Sequence, residues 1–183
     1  VSGREVTVTP RRTEVPEIAQ DLVLTAQGAT IVLTPEELYA LPAVTAHGSY
    51  QNRFGNFSGA GNYTGVPVRD LLEMVGGMTP EDELVVYALD GYSQVFAYEN
   101  VFPETRGWEE TQGEMVLAIS MDDKKPPEWQ DGYRIAFLPS DGEYSNDDCA
   151  ATSLPGQGWH LYESAGARWV KNVVRMEVRP CAK

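Results

Sequence analysis

Tyr63-Thr64-Gly65-Val66-Pro67-Val68-Arg69-Asp70-Leu71-Leu72 is the stretch on which the reading of this chain turns. Pro67 suits the first position of a helix, where a missing N–H costs nothing. Val68, Leu71, Leu72 and Val75 then recur on one helical face, and Gly76-Gly77 stop the run. Ahead of it, Gly55, Gly59 and Gly61 alternate with Asn56, Phe57, Ser58 and Asn62, so Asn52–Tyr63 reads as a loop. Behind it, Glu83–Ala88 is rich in Val and Tyr and reads as a strand. Asp90-Gly91 is its turn, and Ser93–Tyr98 its hairpin partner.

The same short-strand, short-helix grammar extends outward. Arg4–Thr9, Asp21–Thr25, Ala29–Leu33 and Val44–Tyr50 read as strands, with Gly28 at a turn and Pro10 and Pro16 bracketing a looser connection. Thr34-Pro35-Glu36-Glu37 opens a helix with a capping Thr34 and a capping-box Glu37, and Pro42 ends it. Met115–Met121 and Tyr133–Leu138 read as buried strands around the charged, Pro-rich loop Asp122–Trp129. Ser140–Tyr162 is the longest irregular stretch, and the alternation in Trp169–Val178 predicts a closing strand. The parse is mixed α+β, a single domain over 1–183 with its core at about 22–178.

Composition narrows the functions. Fourteen Lys plus Arg stand against 27 Asp plus Glu, a formal net charge of −13. Such a surface repels nucleic acid and anionic lipid at long range, while leaving room for a local basic pocket that takes a small anion. No apolar run approaches the roughly 20 residues that span a bilayer. The chain opens Val1-Ser2-Gly3-Arg4 without an apolar leader, as a processed or trimmed product would. Export is therefore open. If the protein is exported, Cys149 and Cys181 are a candidate disulfide tying a long loop to the C-terminus; in a reducing compartment they are free thiols. Asn56-Phe57-Ser58 and Asn62-Tyr63-Thr64 match glycosylation sequons, which matter only in a secreted setting.

The usual catalytic constellations are missing. His47 and His160 lie over a hundred positions apart, without helical ligand partners, so zinc is not expected. Asp141, Glu143, Asp147 and Asp148 do not fall in the register of a calcium-binding loop and read as a solvated acidic loop. There is no nucleophile elbow, and neighbouring carboxylates oppose a thiolate at Cys149. Gly55–Gly61 lacks the Lys-Ser/Thr of a phosphate-binding loop. Arg168, Lys171 and Arg175 form the one close basic set. Read as strand residues, Lys171 and Arg175 share a face and Arg168 takes the other; all three read as solvent-facing, the alternative being that one or two of them reach a phosphate.

Several segments, in order, resemble the molybdopterin-binding domain of the sulfite oxidase family. Leu33–Pro42 is similar to the helix ahead of that family's catalytic strand. Tyr63–Leu72 resembles its W-x-G-V-P-L-x-D-L-L signature, and Val85–Ala88 with Asp90-Gly91-Tyr92-Ser93 its next hairpin. Leu117-Ala118, Gly132-Tyr133-Arg134-Ile135 and Pro139 resemble its L-A-Y … G-x-P-x-R-x-x-x-P stretch. Val170–Glu177 is similar to its closing V-K-W-V-x-R-I-E strand. The resemblance covers roughly Leu22 to Val178. It implies an α+β fold of sulfite oxidase type, with mixed β-sheets, short helices and a pterin cleft, and usually an exported protein.

Members of that family hold molybdenum through the pterin dithiolene and one protein cysteine just after the strand matching Val44–Tyr50. Here Thr45–Arg53 contains no cysteine, and no soft ligand replaces it. Ser49 or His47 would have to stand near a metal instead. The candidate cleft residues are His47, Ser49, Tyr50, Arg53, Tyr63, Arg134 and Lys171, with Phe54 and Phe57 as further aromatics that either stack on a flat ligand or simply pack. Two readings follow: a non-catalytic module binding a small molecule, a pterin-like ligand or a partner protein, and a molybdopterin-dependent oxidoreductase with a non-cysteine metal ligand. A third is an interaction domain whose cleft is filled by its own side chains.

Overall fold

The computed structural model describes residues 20–157 and 164–182. The predicted strand Arg4–Thr9, His160 and Gly158 lie outside the described residues. Among the described residues nine strands build two sheets. In the five-stranded sheet, β1 (Leu22–Ala26) pairs with β2 (Ala29–Leu33) on one side and β9 (Val173–Pro180) on the other. It continues through β5 (Asp82–Ala88) to β6 (Ser93–Ala97). β1 and β9 run parallel, with Leu24 opposite Met176, and the other pairs are antiparallel. The four-stranded antiparallel sheet runs β3 (Val44–Gln51), β4 (Phe57–Pro67), β7 (Glu114–Met121), β8 (Arg134–Leu138). Its outer strands β3 and β8 touch, so the sheet curls toward closure.

One hydrophobic cluster joins the sheets. Phe96 on β6 meets Phe137 on β8 with ring centroids 5.9 Å apart, and Phe137 meets Tyr144 at 4.8 Å. Short helices close the ends. α1 (Pro35–Tyr39) forms as its capping pattern predicts, with Thr34 Oγ1 accepting from Glu37 N at 3.2 Å. α2 (Val68–Glu73) buries Val68, Leu71 and Leu72. Arg69 on its outer face grips Glu104 at 2.7 Å and Glu114 at 2.9 Å, and these bonds, the Glu104 contact first, hold its guanidinium more firmly protonated than usual. α3 (Tyr98–Val101), α4 (Asn146–Ala151) and α5 (Ala165–Arg168) are the other α-helices among the described residues.

Two expectations are corrected here. Most of Asn52–Tyr63 is not a loop: only Asn52–Asn56 turn, and Phe57 onward is strand β4. Its glycines serve close approach. A Cβ at Gly61 would stand 2.5 Å from the Met121 methyl group, and one at Gly65 would stand 2.7 Å from Val116 Cγ2 and 2.9 Å from the Leu117 carbonyl. The irregular stretch from Ser140 contains α4, marked by a capping box that sequence reading passed over. Ser145 Oγ accepts from Asp148 N, and the Asp148 carboxylate accepts from Ser145 N.

Gly65→Ala is expected to lower stability by about 2 kcal/mol or more through overpacking. Gly28→Ala, in open space at φ +73, should cost only about 1 kcal/mol for the left-handed backbone. Urea midpoints of the two variants measure the difference.

Candidate functional site

The cleft forms where the chain passes from one sheet to the other. Ile135 N donates to Val170 O at 2.8 Å, so the segment after α5 runs beside the edge of β8. Asn172 then adopts φ +52, its N–H donating to Asp131 O at 2.7 Å and its carbonyl accepting from Leu89 N at 2.9 Å. That left-handed residue turns the chain into β9 in the other sheet. The predicted strand Trp169–Val178 is thus corrected: Trp169–Asn172 is a corner, and the strand begins at Val173.

Around this corner lies a cleft of about 670 Å³. Its walls come from the β3–β4 tip (Tyr50, Arg53, Phe54), the β5–β6 turn (Ala88, Asp90), the approach to β8 (Asp131, Arg134) and the α5–β9 corner (Ala167, Trp169, Lys171). Four predicted site residues, Tyr50, Arg53, Arg134 and Lys171, are brought together here. Arg134 is the organiser. Its Nε donates to Trp169 O at 3.0 Å, its Nη1 to Asp131 at 2.8 Å, and its guanidinium lies 4.4 Å over the Tyr50 ring. Trp169 packs against Tyr50 at 5.1 Å and Tyr63 at 5.4 Å.

The other three candidates do not line the cleft. Tyr63 is buried behind Trp169, its hydroxyl donating to Gly59 O, and burial pushes that hydroxyl's pKa well up despite the pull of Arg134. Ser49 is buried, with Oγ donating to Gly142 O at 2.9 Å. His47 is exposed on β3, beside Gly142. Of the further aromatics, Phe54 lines the cleft and Phe57 stands outside it.

Sequence reasoning also missed Asp131, Trp169 and above all Arg168. The expectation of a solvent-facing Arg168 is overturned: it lies in α5 at 1% exposure. Nη1 donates to Val95 O at 2.8 Å, Gln94 Oε1 at 3.2 Å and Gln157 O at 3.2 Å; Nη2 donates to Gln157 Oε1 at 3.1 Å and Asn100 Oδ1 at 3.4 Å. Burial lowers its pKa, since no described carboxylate touches it. Asn100, Gln112 and Gln157 continue the network. Three side-chain acceptors and two carbonyls drawn from distant segments would have been needed to foresee it.

The candidate disulfide is not formed in this structure. Cys149 and Cys181 are free thiols. Cys149 is buried in α4 beside Ser153, its pKa pushed up to about 11 by burial, whereas Cys181 is exposed and borders a separate pocket with Asp82, Glu83 and Glu99. α4 buries its cysteine in the core.

No family model matches the chain, and no curated protein matches it. Among solved structures it is similar to the sulfane dehydrogenase SoxCD from Paracoccus pantotrophus, with a TM-score of 0.56 and 17% identity. The alignment covers 87% of this chain and 38% of that one, so the chain spans well under half of its neighbour's length. The likeness is one of fold: α+β, sulfite oxidase-like, with mixed sheets and short helices.

A molybdenum centre held through a protein thiolate does not fit the residues present. Neither cysteine lines the cleft, the Ser49 hydroxyl is spent on a carbonyl, and among the described residues no three His, Cys, Asp or Glu converge as metal ligands.

Two measurements check these assignments. Native protein should expose one thiol per chain to a disulfide reagent, the second reacting only after unfolding; a mass two hydrogens lighter without reductant would restore the disulfide. Arg168→Met should destabilise by about 3 kcal/mol or more, because it removes five hydrogen bonds from a largely buried network.

Proposed function

We propose that this chain is a non-catalytic binding module whose ligand is a small molecule seated in the cleft around Arg134. The observation that carries the reading is a pre-ordered guanidinium in a concave site. Arg134 is 6% exposed, tied to Asp131 and the Trp169 carbonyl, and shelved on Tyr50, inside a cavity of ordinary ligand size. A side chain fixed in that way loses little entropy when a ligand arrives. The cleft also retains open volume, which disfavours the view that its own side chains fill it.

The alternative is a molybdopterin-dependent oxidoreductase with a non-cysteine ligand. Its support is the sulfite oxidase-like fold. Against it stand the buried, carbonyl-bound Ser49 and the distance of both thiols from the cleft lining. By the same family resemblance the domain is assigned outside the cytoplasm. Among the described residues no helix is long and apolar enough to cross a membrane.

A thermal-shift screen with pterins, nucleotides and small oxyanions, run beside elemental analysis of protein from its native host, separates the two. The binding reading expects a saturable rise in Tm of a few degrees. It also expects loss of that rise in Arg134→Gln and molybdenum well below one atom per chain. Stoichiometric molybdenum with extractable pterin would replace it by the oxidoreductase reading.

A further inference from the structure

The cleft reverses the charge balance of the molecule around it. The whole chain has 27 acidic against 14 basic residues, yet the cleft lining offers Arg53, Arg134 and Lys171 against Asp90 and Asp131. Asp131 is already committed to Arg134 Nη1 at 2.8 Å. Asp90 caps its own turn, accepting from Tyr92 N at 2.9 Å. Lys171 is exposed and makes no ion pair with a described residue. Arg53 lies 4.7 Å over the Phe54 ring, likewise without a described carboxylate. Arg134 Nη2 donates to no described residue, while Nε and Nη1 are anchored. The cations are therefore in surplus, and one of them is held rigidly.

Beside the polar Asn52, Tyr92 and Ser164, the rest of the lining is aromatic, apolar or small. Ala167 is half-buried and Phe54 stands 74% exposed at the rim, with the buried Ala88 and Val170 backing the wall. An inorganic oxyanion would answer Lys171 and Arg134 but leave the Phe54 ring and Ala167 in water. A neutral apolar ligand would cover the wall and strip water from the cations with nothing in return. The ligand that satisfies both is amphipathic. Resting on the cleft reading above, we infer that the site takes a small organic carboxylate with a flat apolar body. Its carboxylate sits by Arg134 Nη2 and Lys171, and its body lies against Ala88, Ala167, Val170 and Phe54. Arg suits the carboxylate end, because its planar, always charged guanidinium, held at Nε and Nη1, aims the remaining Nη2 donor in a fixed direction.

Calorimetric titration of the full chain at low salt tests this with four probes: 2-naphthoate, its neutral amide 2-naphthamide, acetate and inorganic phosphate. The expected result is one 2-naphthoate per chain, bound at least tenfold more tightly than any of the other three. Lys171→Gln, at an exposed position where folding is not at stake, should weaken 2-naphthoate about fivefold or more and leave 2-naphthamide unchanged. Equal affinity for the amide removes the carboxylate from the proposal. Equal affinity for acetate or phosphate removes the apolar body. An indifferent Lys171→Gln variant overturns the stated placement. If 2-naphthoate fails to bind while a pterin or nucleotide gives an Arg134-dependent thermal shift, the carboxylate assignment is wrong and the cleft reading stands. If no compound in either set binds, both fall.

Discussion

Two sheets share this molecule, and the chain must pass from one to the other without leaving backbone groups unpaired. The hydrogen bonds of Trp169–Asn172 meet that constraint. Val170 O is answered by β8, Asn172 by Asp131 and Leu89, and Trp169 O by the Arg134 side chain. The last of these differs in kind. A guanidinium takes the place a strand neighbour would occupy, so the cation is present because the corner needs a donor. Tyr50 and Asp131 then hold that cation from its other sides. The site is thus a by-product of solving a folding problem at the seam, and its rigidity is inherited from the backbone.

Arg168, one residue before the corner, works on the opposite side of the same segment. Its donors reach Val95 on β6, Gln94, Gln157 and Asn100, so α5 is tied to the five-stranded sheet and to the segment after α4 together. A buried cation without a carboxylate is costly, and it is tolerated only when dipoles surround it. Here carbonyl and amide oxygens do so, with the Phe96 ring 4.3 Å below. The neighbouring Cys149 feels that positive charge, yet burial dominates and keeps its thiol protonated. The two adjacent residues Arg168 and Trp169 therefore fix the corner from both sheets.

Local chemistry was legible in the sequence and long-range chemistry was not. The α1 cap, the α2 stripe, the β5–β6 turn and most strand cores were readable, because each depends on residues within a few positions of one another. β4 was misread because glycine was taken as a sign of looseness. Gly61 and Gly65 are required by the Met121 and Val116 side chains on β7, some fifty or more positions away. The closing strand was begun four residues early, since alternation cannot reveal that Asn172 turns left-handed. Arg53, Arg134 and Lys171 came from family resemblance. Arg168 escaped because a strand reading placed it in solvent, and only the fold of α5 puts it in the core.

The charge of the whole molecule bears on how an anion would reach this cleft. At low ionic strength a protein of formal charge −13 repels a carboxylate over tens of ångströms, and at 0.15 M salt that field fades within about 8 Å. The cations at the cleft act at hydrogen-bond range, where salt screens partly buried groups far less. Global and local electrostatics therefore oppose each other. Added salt should relieve the long-range repulsion first and the short-range attraction last, the reverse of a protein that steers its ligand by net charge. Arg134 can play the local part because the protein's own groups position it: Asp131 holds it at 2.8 Å and the Trp169 carbonyl at 3.0 Å. An anchored cation in an acidic protein acts as a selective contact, and the surrounding acidity limits its attraction to anions that fit.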